Sequence, residues 1–219
     1  MSNLVIFGVS NDIGNTIDCA LALGHAVTKI VLNQPEVVRP RTRGVAERIA
    51  ALARPPELVA LDGFAPGPGE IYFLGTSAPG RTRLVDELAA RFGIRFSSLV
   101  HPSAYVAASA RVGDDVYVGA RTAIQADAVI GDHVFVGSGV TIGHDCVIEP
   151  YACLRQASSV GGHVVVGRGA TIGLGASVIH ELVIGPGAFV AAGAVVIRDV
   201  EPGTLVAGVP AQVKRRPTA

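Results

Sequence analysis

Sixteen consecutive hexapeptides dominate this chain. From Val106 to Val196 every sixth residue is Val, Ile or Leu, and no insertion breaks the count. Two positions before each of them stands a small, β-branched or modest apolar residue, from Ala104 to Ala194. A period of six fits neither an α-helix nor a flat strand, because it belongs to a chain that turns a corner after each short strand. The repeat therefore predicts a β-helix. The repeated residues are Val106, Val112, Val118, Ile124, Ile130, Val136, Ile142, Ile148, Leu154, Val160, Val166, Ile172, Val178, Ile184, Val190 and Val196.

Three hexapeptides make one triangular coil, and the repeat supplies a little over five coils. Coils that stack roughly 4.8 Å apart align their aliphatic side chains in an interior ladder. Burial of each side chain is worth about 1.5–3 kcal/mol, so the ladder forms a core. Gly opens many hexapeptides, and we expect it to supply turn angles that other residues avoid. These positions are Gly113, Gly119, Gly131, Gly137, Gly143, Gly161, Gly167, Gly173 and Gly185.

Composition excludes several classes of protein. The 219 residues are 49% hydrophobic and carry a net charge of zero. No apolar run approaches the ~18 residues of a membrane span, and a neutral chain does not indicate a nucleic-acid surface. The first residues lack the basic flank and long apolar stretch of a secretion signal. Three cysteines without a CxxC pair fit neither a disulfide framework nor a metal site, so we expect a location in the reducing cytoplasm.

The first hundred residues alternate short apolar runs with helical periodicity. The runs predict strands at Leu4–Phe7, Val27–Leu32, Leu58–Leu61 and Ile71–Leu74, and the periodicity predicts helices through Ile17 to Leu23, over Val45–Leu52 and over Arg81–Phe92. Such alternation indicates a small parallel α/β domain of Rossmann-like type. We place this domain at residues 1–97, and the β-helix with its C-terminal tail at residues 98–219.

The turn after the first strand, from Gly8 to Gly14, is the candidate ligand site of the α/β domain. Ligands of parallel sheets bind at the carboxyl edge, where helix N-termini offer free N–H groups to anions. The turn lacks the full G-x-G-x-x-G pattern. Two interpretations stay open, a turn that serves only the fold and a site for the phosphates or base of a nucleotide-linked substrate.

Among the six histidines, His144 is the candidate for chemistry because Asp145 follows it directly. An imidazole can take a proton from a hydroxyl or an amine, and a carboxylate can orient the ring and raise its basicity. Neighbours on a strand point to opposite faces, so Asp145 must reach the ring through corner geometry. We expect the other five to be solvated at the surface: His25, His101, His133, His163 and His180.

Spacing predicts which residues share an edge. Gly162 follows His144 by one coil, and His180 follows Gly162 by one more, so we expect the three to stack, with Gly162 leaving room beside His144. Cys153 lies half a coil from His144 and should not meet it within one chain. If both line one site, that site lies between neighbouring subunits, which predicts a homotrimer of β-helical prisms.

Several phrases accompany the ladder: Thr141-Ile-Gly-His-Asp-Cys-Val-Ile, His101-Pro-Ser-Ala, Ala191-Ala-Gly-Ala-Val-Val and Val206-Ala-Gly-Val-Pro-Ala. With them the chain resembles the left-handed β-helix acyltransferases, and more narrowly the sialic-acid O-acetyltransferases and the nucleotide-sugar N-acetyltransferases acting on bacillosamine or perosamine. The resemblance implies transfer from acetyl-CoA to an amino or hydroxyl group of a nucleotide-linked sugar, in the synthesis of surface polysaccharide or glycan precursors. No metal is expected.

The resemblance implies catalytic roles for three residues. His144 would be the general base, and Asp145 would increase its basicity. The sugar would attack the thioester directly, without a covalent acyl-enzyme. A backbone N–H at Gly162 would then stabilise the developing oxyanion.

The resemblance also implies the donor contacts. Coenzyme A would lie in a groove between two β-helices and contact the backbone at Leu174 and Ala192. Cys153 stands where the family often has a second histidine that contacts the acetyl group, so this contact is either a thiol or absent. A thiol there leaves an acyl-cysteine route open, although buried cysteines are usually inert.

For the acceptor, the resemblance implies substrate-binding positions in the α/β domain. They are Ser10, Asn11, Asp12, Asn33 and Gly75. The carboxylate at Asp12 would repel a phosphate unless a cation or an arginine intervened.

A β-helix is also compatible with two classes of function other than sugar acetylation. A β-helical carbonic anhydrase needs three histidines on zinc, two of them close in sequence, but the histidines along the repeat are 11, 19 and 17 residues apart. A non-catalytic trimeric scaffold or small-molecule sensor would keep the ladder and would need no His–Asp pair.

Overall fold

The computed structural model describes residues 2–10, 12–34, 43–77 and 81–215. They form two compact units, Met1–Leu99 and Val100–Ala219, called below the N-terminal unit and the C-terminal unit. No helix among the described residues has both the length and the apolar character that a bilayer crossing requires.

The N-terminal unit contains a parallel sheet and its helices. The strands are β1 (Asn3–Phe7), β2 (Ala26–Leu32), β3 (Glu57–Ala60) and β4 (Glu70–Leu74), and the helices are α1 (Ile13–Ala22), α2 (Val45–Ala50) and α3 (Arg81–Phe92), with a 3-10 turn at Leu61–Gly63. The strand order is β3-β2-β1-β4. Residues 4–7 of the interior strand β1 are fully buried, as a parallel strand covered on both faces must be. The predicted alternation of strands and helices is confirmed.

The C-terminal unit is a left-handed parallel β-helix with three sides. The five-stranded side holds β7 (Arg111–Val112), β10 (Val129–Ile130), β13 (Val147–Ile148), β16 (Val165–Val166) and β19 (Val183–Ile184). The six-stranded side holds β6 (Tyr105–Val106), β9 (Ala123–Ile124), β12 (Thr141–Ile142), β15 (Ser159–Val160), β18 (Ser177–Val178) and β21 (Val195–Val196).

The eight-stranded side completes the prism. It holds β5 (Leu99–Val100), β8 (Tyr117–Val118), β11 (Phe135–Val136), β14 (Cys153–Leu154), β17 (Thr171–Ile172), β20 (Phe189–Val190), β22 (Leu205–Ala207) and β23 (Gln212–Arg215). β23 pairs antiparallel with β22. Elsewhere on the sides, residues one coil apart face each other in parallel register, as Val129 faces Val147. The predicted β-helix is confirmed.

Two residues of each hexapeptide point into the interior. They are the second residue of each strand and the residue two positions before it, as with Ile142 and Val140 or Ile148 and Cys146, which are all fully buried. The large residue from one position packs against the smaller residue from the other along the whole coil. This inner column fixes the strand register, and the register fixes the corner residues that face solvent.

The glycines that open the hexapeptides do not have the backbone angles we expected. The positive φ lies two residues later in the turn, where Asp145 has a φ of 56° and His163 a φ of 57°. The opening glycines are required for space, because a Cβ on Gly143 would lie 2.6 Å from the backbone of the following coil. The predicted cause was therefore wrong. Close stacking of the coils excludes a side chain at these positions.

Candidate active site

The His144 corner is the edge where the chain passes from the six-stranded to the five-stranded side. Its turns are residues 107–110, 125–128, 143–146, 161–164, 179–182 and 197–200. His144 and Asp145 are the central residues of one turn, and the left-handed φ of Asp145 redirects its side chain. Because neither residue lies in a strand, their side chains need not point to opposite faces. Corner geometry was predicted, and it brings His144 Nδ1 within 2.7 Å of Asp145 Oδ2.

This hydrogen bond decides which nitrogen of His144 is available for chemistry. An ionised carboxylate only accepts hydrogen bonds, so Nδ1 carries the hydrogen and donates it to Asp145. Nε2 therefore keeps its lone pair. The side chains of His144 and Asp145 are 54% and 46% exposed, which leaves the imidazole open to a reactant. The pair can accept a proton at Nε2 and hold the resulting imidazolium beside a carboxylate.

Gly162 lies directly against the His144 ring. A Cβ on Gly162 would lie 2.7 Å from both Cε1 and Nε2 of His144, so a side chain there would displace the imidazole. The prediction that Gly162 leaves room beside His144 is confirmed. The Gly162 carbonyl accepts a hydrogen bond from the Glu181 N–H, whereas the Gly162 N–H has no acceptor within the part of the chain that the structure describes. A donor close to the imidazole is thus available to a reactant.

His163 is the residue of this corner that the sequence analysis missed. Its Nε2 lies 3.9 Å from Asp145 Oδ2, and its ring meets the ring of His144 edge to face, with centroids 4.9 Å apart and planes at 89°. His163 is exposed, as expected, but its nitrogen and its ring face Asp145 and His144. The signal was present in the numbering, because His163 follows Asp145 by one full coil and stacked turns place such residues side by side.

The same three side chains offer ligand atoms to a metal ion. One atom each from His144, Asp145 and His163 lies within 4.8 Å of the others, and all three side chains are exposed. In the structure, His144 Nδ1 and Asp145 Oδ2 form a hydrogen bond with each other. The arrangement therefore suits proton transfer in its present form.

Beneath this turn the corner is closed by a buried thiol. The Cys146 Sγ donates a hydrogen bond to the Gly161 carbonyl oxygen at 2.9 Å. Burial raises the pKa of the Cys146 thiol, and the neighbouring Asp145 charge acts in the same direction. The thiol therefore stays protonated and packs as part of the core.

The predicted donor residues lie on other parts of the prism. Cys153 is in β14 on the eight-stranded side, between Phe135 and Thr171, and is only 3% exposed. Leu174 and Ala192 are one coil apart on the Leu174 corner, the edge between the eight-stranded and six-stranded sides. The turns of this corner are residues 101–104, 119–122, 137–140, 155–158, 173–176 and 191–194. Leu174 is 57% exposed. A single chain therefore brings together His144, Asp145 and Gly162. Cys153, Leu174 and Ala192 lie on other parts of the same prism.

In the N-terminal unit, three of the predicted acceptor residues meet at the carboxyl edge of the sheet. The Ser10 hydroxyl donates to the Gly75 carbonyl oxygen at 3.0 Å and accepts from the Asp12 N–H at 3.2 Å. A Cβ on Gly75 would collide with Ile6, so the position admits only glycine. Asp12 begins helix α1. The fifth predicted residue, Asn11, lies outside the described residues.

Asn33 lies at the same edge and also lines a cavity of about 600 Å³. The cavity is formed by the ends of β2 and β3 and by helix α3, with Leu32, Asn33, Gln34, Ala60, Leu61, Asp62, Arg83, Leu84 and Glu87 as its lining. Arg83 has no carboxylate partner among the residues that the structure describes, so its charge is available to an anion. Arg83 was not among the predicted acceptor residues, since helical periodicity gave no reason to connect it with Asn33.

Comparisons with known proteins agree with this architecture. The model of the family "Bacterial transferase hexapeptide (six repeats)" matches residues 109–144. A search of curated protein sequences found no match. Among solved structures, PerB from Caulobacter crescentus in complex with CoA and GDP-perosamine has 30% identity and a TM-score of 0.81, and the match covers 98% of each chain.

Two further structures are similar over nearly the whole chain. The acetyltransferase domain of PglB from Neisseria gonorrhoeae FA1090 has 26% identity and a TM-score of 0.81, and the match covers 97% of this chain and 100% of that domain. WeeI from Acinetobacter baumannii AYE has 20% identity and a TM-score of 0.78, with 97% and 100% coverage, which supports the fold alone.

Proposed function

We propose that this chain, which belongs to the hexapeptide-repeat family of acetyl-CoA-dependent sugar acetyltransferases, acetylates an amino group of a nucleotide-linked sugar. Its relative of 30% identity is solved with CoA and GDP-perosamine, and a protein of 29% identity from the same organism is described as perosamine N-acetyltransferase. The observation that carries the proposal is the hydrogen bond from His144 Nδ1 to Asp145 Oδ2 beside Gly162.

His144 is the general base of the proposed reaction. The sugar nitrogen attacks the thioester carbonyl carbon, a C–N bond forms, and His144 Nε2 takes the proton that the nitrogen loses. The carbonyl electron pair moves onto oxygen. When the tetrahedral intermediate collapses, the C–S bond breaks, and the leaving thiolate takes the proton back from His144. The products are an amide and the CoA thiol, and none of these steps needs a metal ion.

Asp145 orients the base and stabilises the imidazolium that forms during attack. Its carboxylate receives the Nδ1 hydrogen at 2.7 Å, which keeps Nε2 as the nitrogen without a hydrogen. As His144 gains its proton, the hydrogen bond from a neutral ring to a carboxylate becomes one between two charged groups and strengthens. Asp145 therefore favours the transition state over the ground state.

Gly162 stabilises the charge that develops on the carbonyl oxygen. Its N–H has no acceptor among the described residues and belongs to the residue that touches the His144 ring. A backbone donor in a fixed turn is oriented before the reaction begins, so it needs no reorganisation as the oxyanion forms.

The donor site is shared between neighbouring chains of a homotrimer. Leu174 and Ala192 lie on a different corner from His144, with the six-stranded side between them. A pantetheine arm that contacts both corners must therefore lie between two prisms, and threefold association would bring the His144 corner of one against the Leu174 corner of the next. Buried Cys153 then packs in its own prism and takes no part as a nucleophile.

Residues 1–97 form the acceptor domain, for which we propose a Rossmann-like fold. The strand order β3-β2-β1-β4 is that of one half of a dinucleotide-binding sheet. Ser10, Asn33 and Gly75 lie at the carboxyl edge of that sheet, where such folds bind ligands. Arg83, which lines the same cavity as Asn33, offers a positive charge to a diphosphate.

Replacement of the base tests the proposal. We expect His144→Ala to lower kcat about a thousandfold, within the usual range for loss of a general base, and to leave the KM for acetyl-CoA unchanged. The assay follows release of the CoA thiol with a panel of GDP- and UDP-linked amino sugars and their hydroxyl counterparts. His180→Ala is the matched control, because His180 is exposed on the same corner one coil beyond Gly162. A normal kcat in His144→Ala would remove the base assignment, and turnover of hydroxyl sugars alone would exclude amine acetylation.

A further inference from the structure

His163 sits where it can restrain both members of the His144–Asp145 pair. Asp145 Oδ2 is 2.7 Å from His144 Nδ1 and 3.9 Å from His163 Nε2, so one carboxylate oxygen faces two imidazoles. The His163 ring also stands edge to face against the His144 ring at 4.9 Å. One side chain therefore touches the base through its ring and the orienting acid through its nitrogen.

The backbone holds His163 in this place. Its N–H donates a hydrogen bond to the His144 carbonyl oxygen at 2.9 Å, which ties the two turns together. Asp145 and His163 occupy the same position of successive turns and have left-handed φ values of 56° and 57°. Their side chains consequently leave the backbone in the same direction, one coil apart.

The pair needs such a restraint because it is half exposed. Exposed ion and hydrogen-bonded pairs are weak, since two side chains must give up their rotamer freedom for one contact in water. A misplacement of about 1 Å can lower a rate about a hundredfold. A ring that limits rotation of His144, together with a nitrogen that attracts the carboxylate, reduces that freedom before substrate arrives.

On the basis of the proposed function, we propose that His163 is a positioning residue that holds Asp145 and the His144 imidazole in their productive orientation. Its Nε2 faces the carboxylate, and its ring packs edge to face with the ring of the base. His163 itself takes no proton from the sugar. Its loss should therefore reduce kcat and leave substrate affinity unchanged.

Two substitutions separate the nitrogen from the ring. His163→Gln keeps an N–H donor at a similar reach, and His163→Phe keeps an aromatic ring without a donor. Both are unbranched at Cβ and suit the left-handed φ, which Tyr151 adopts at 64° and Glu181 at 59° in this chain. We expect kcat to fall about tenfold in His163→Phe and to stay within about threefold of wild type in His163→Gln, with both KM values unchanged.

The result that overturns the proposal is distinct from failure of the proposed function. A wild-type kcat in His163→Phe, an equal loss in both variants, or a raised KM with normal kcat would each remove the positioning role. His144→Ala is assayed in parallel. If its kcat collapses while His163→Phe is unaffected, the base assignment stands and only the role of His163 is lost. His180→Ala controls for loss of an exposed histidine on the same corner, and thermal unfolding of each variant confirms that the coil is intact.

Discussion

In the C-terminal unit the neighbours of a residue follow from its number, whereas in the N-terminal unit they follow only from the fold. His144 contacts Gly162, and Asp145 faces His163, each one coil further along the chain. Ser10 meets Gly75 across more than sixty residues because strands β1 and β4 end at the same edge. A repeat therefore specifies the contacts at a corner residue by residue, while a parallel sheet flanked by helices specifies only the edge at which its loops meet.

The largest expected effect tests whether the His144 corner of one chain and the Leu174 corner of its neighbour form one site. In the proposed homotrimer, His144→Ala chains alone lack the base, and Ala192→Trp chains alone have a blocked donor groove. We expect each to be inactive and co-expressed chains to recover about a quarter of wild-type activity, since a mixed trimer combines an intact His144 corner with an intact Leu174 corner at some interfaces. Release of the CoA thiol measures the recovery.

Complementation has a direct control and a clear contrary result. Two separately purified trimers mixed without subunit exchange should remain inactive, because no interface is then mixed. If co-expressed chains also stay inactive while forming mixed trimers, each active site belongs to a single chain. The donor assignment of Leu174 and Ala192 would then be wrong.

A smaller but sharper effect is expected from two adjacent glycines. The three atoms nearest to a Cβ on Gly162 all belong to the exposed ring of His144, so Gly162→Ala should lower kcat about a hundredfold through displacement of the base, with normal thermal stability. A Cβ on Gly161 would lie 2.7 Å from the backbone nitrogen of His180, so Gly161→Ala forces two coils apart. We expect it to cost about 1–3 kcal/mol of unfolding free energy.

Steady-state kinetics and calorimetry are measured on both glycine variants. Together they distinguish a glycine that leaves room for the His144 ring from one that allows two coils to stack closely. Both positions are glycine in the same turn, so each variant is the control for the other. Equal loss of stability in the two would mean that Gly162 serves the stacking of coils and has no special relation to His144.

The β-helix could be predicted from the sequence because the aliphatic residue that repeats every six positions is also the residue that lies inside each stacked coil. Inward residues repeat every six positions, so the side and the corner of each residue could be read directly from its number, and His144 and Gly162 were placed correctly. One error and one omission came from treating residues singly. The opening glycines were explained by their own φ, when contact with the next coil excludes a side chain, and His163 was judged without its neighbour Asp145.

The N-terminal unit resisted the same approach for a physical reason. Its strands and helices could be predicted from apolar periodicity, because burial of β1 and amphipathic helices leaves a local pattern. The cavity depends on how helix α3 packs against the ends of β2 and β3, and no local pattern in the sequence reports that packing. Arg83 could therefore not be identified from the sequence, although it lines the same cavity as Asn33.

Replacement of Arg83 should have a moderate effect, which is confined to the KM for the acceptor sugar. Loss of a charge-assisted bond to a phosphate should raise the acceptor KM about tenfold in Arg83→Ala and leave the acetyl-CoA KM unchanged. Arg54→Ala is the control, since Arg54 lines a different cavity beside the first residues of β2. An unchanged acceptor KM would show that the diphosphate binds elsewhere, and a raised acetyl-CoA KM would show that the N-terminal unit also takes part in donor binding.

The smallest expected effect concerns the stability of the N-terminal sheet in acid. Burial alone would raise the pKa of Glu70, but the Lys29 ammonium at 2.6 Å, the Gly67 N–H at 2.8 Å and the Tyr72 hydroxyl at 3.3 Å outweigh it and hold that pKa below its usual value. A carboxyl with a lowered folded pKa stabilises the fold above its unfolded pKa of about 4.3, and this stability is lost as the pH falls through the folded pKa.

Glu70→Gln should therefore cost about 1 kcal/mol of unfolding free energy at pH 7 and progressively less as the pH falls through the folded pKa of Glu70. Urea unfolding at several pH values, followed by a probe in the N-terminal unit, measures the difference. The β-helix transition should be the same in both proteins at every pH, because Glu70 belongs to the other unit. A constant loss across the pH range would mean that the glutamine fits the site poorly and that the carboxylate charge contributes nothing.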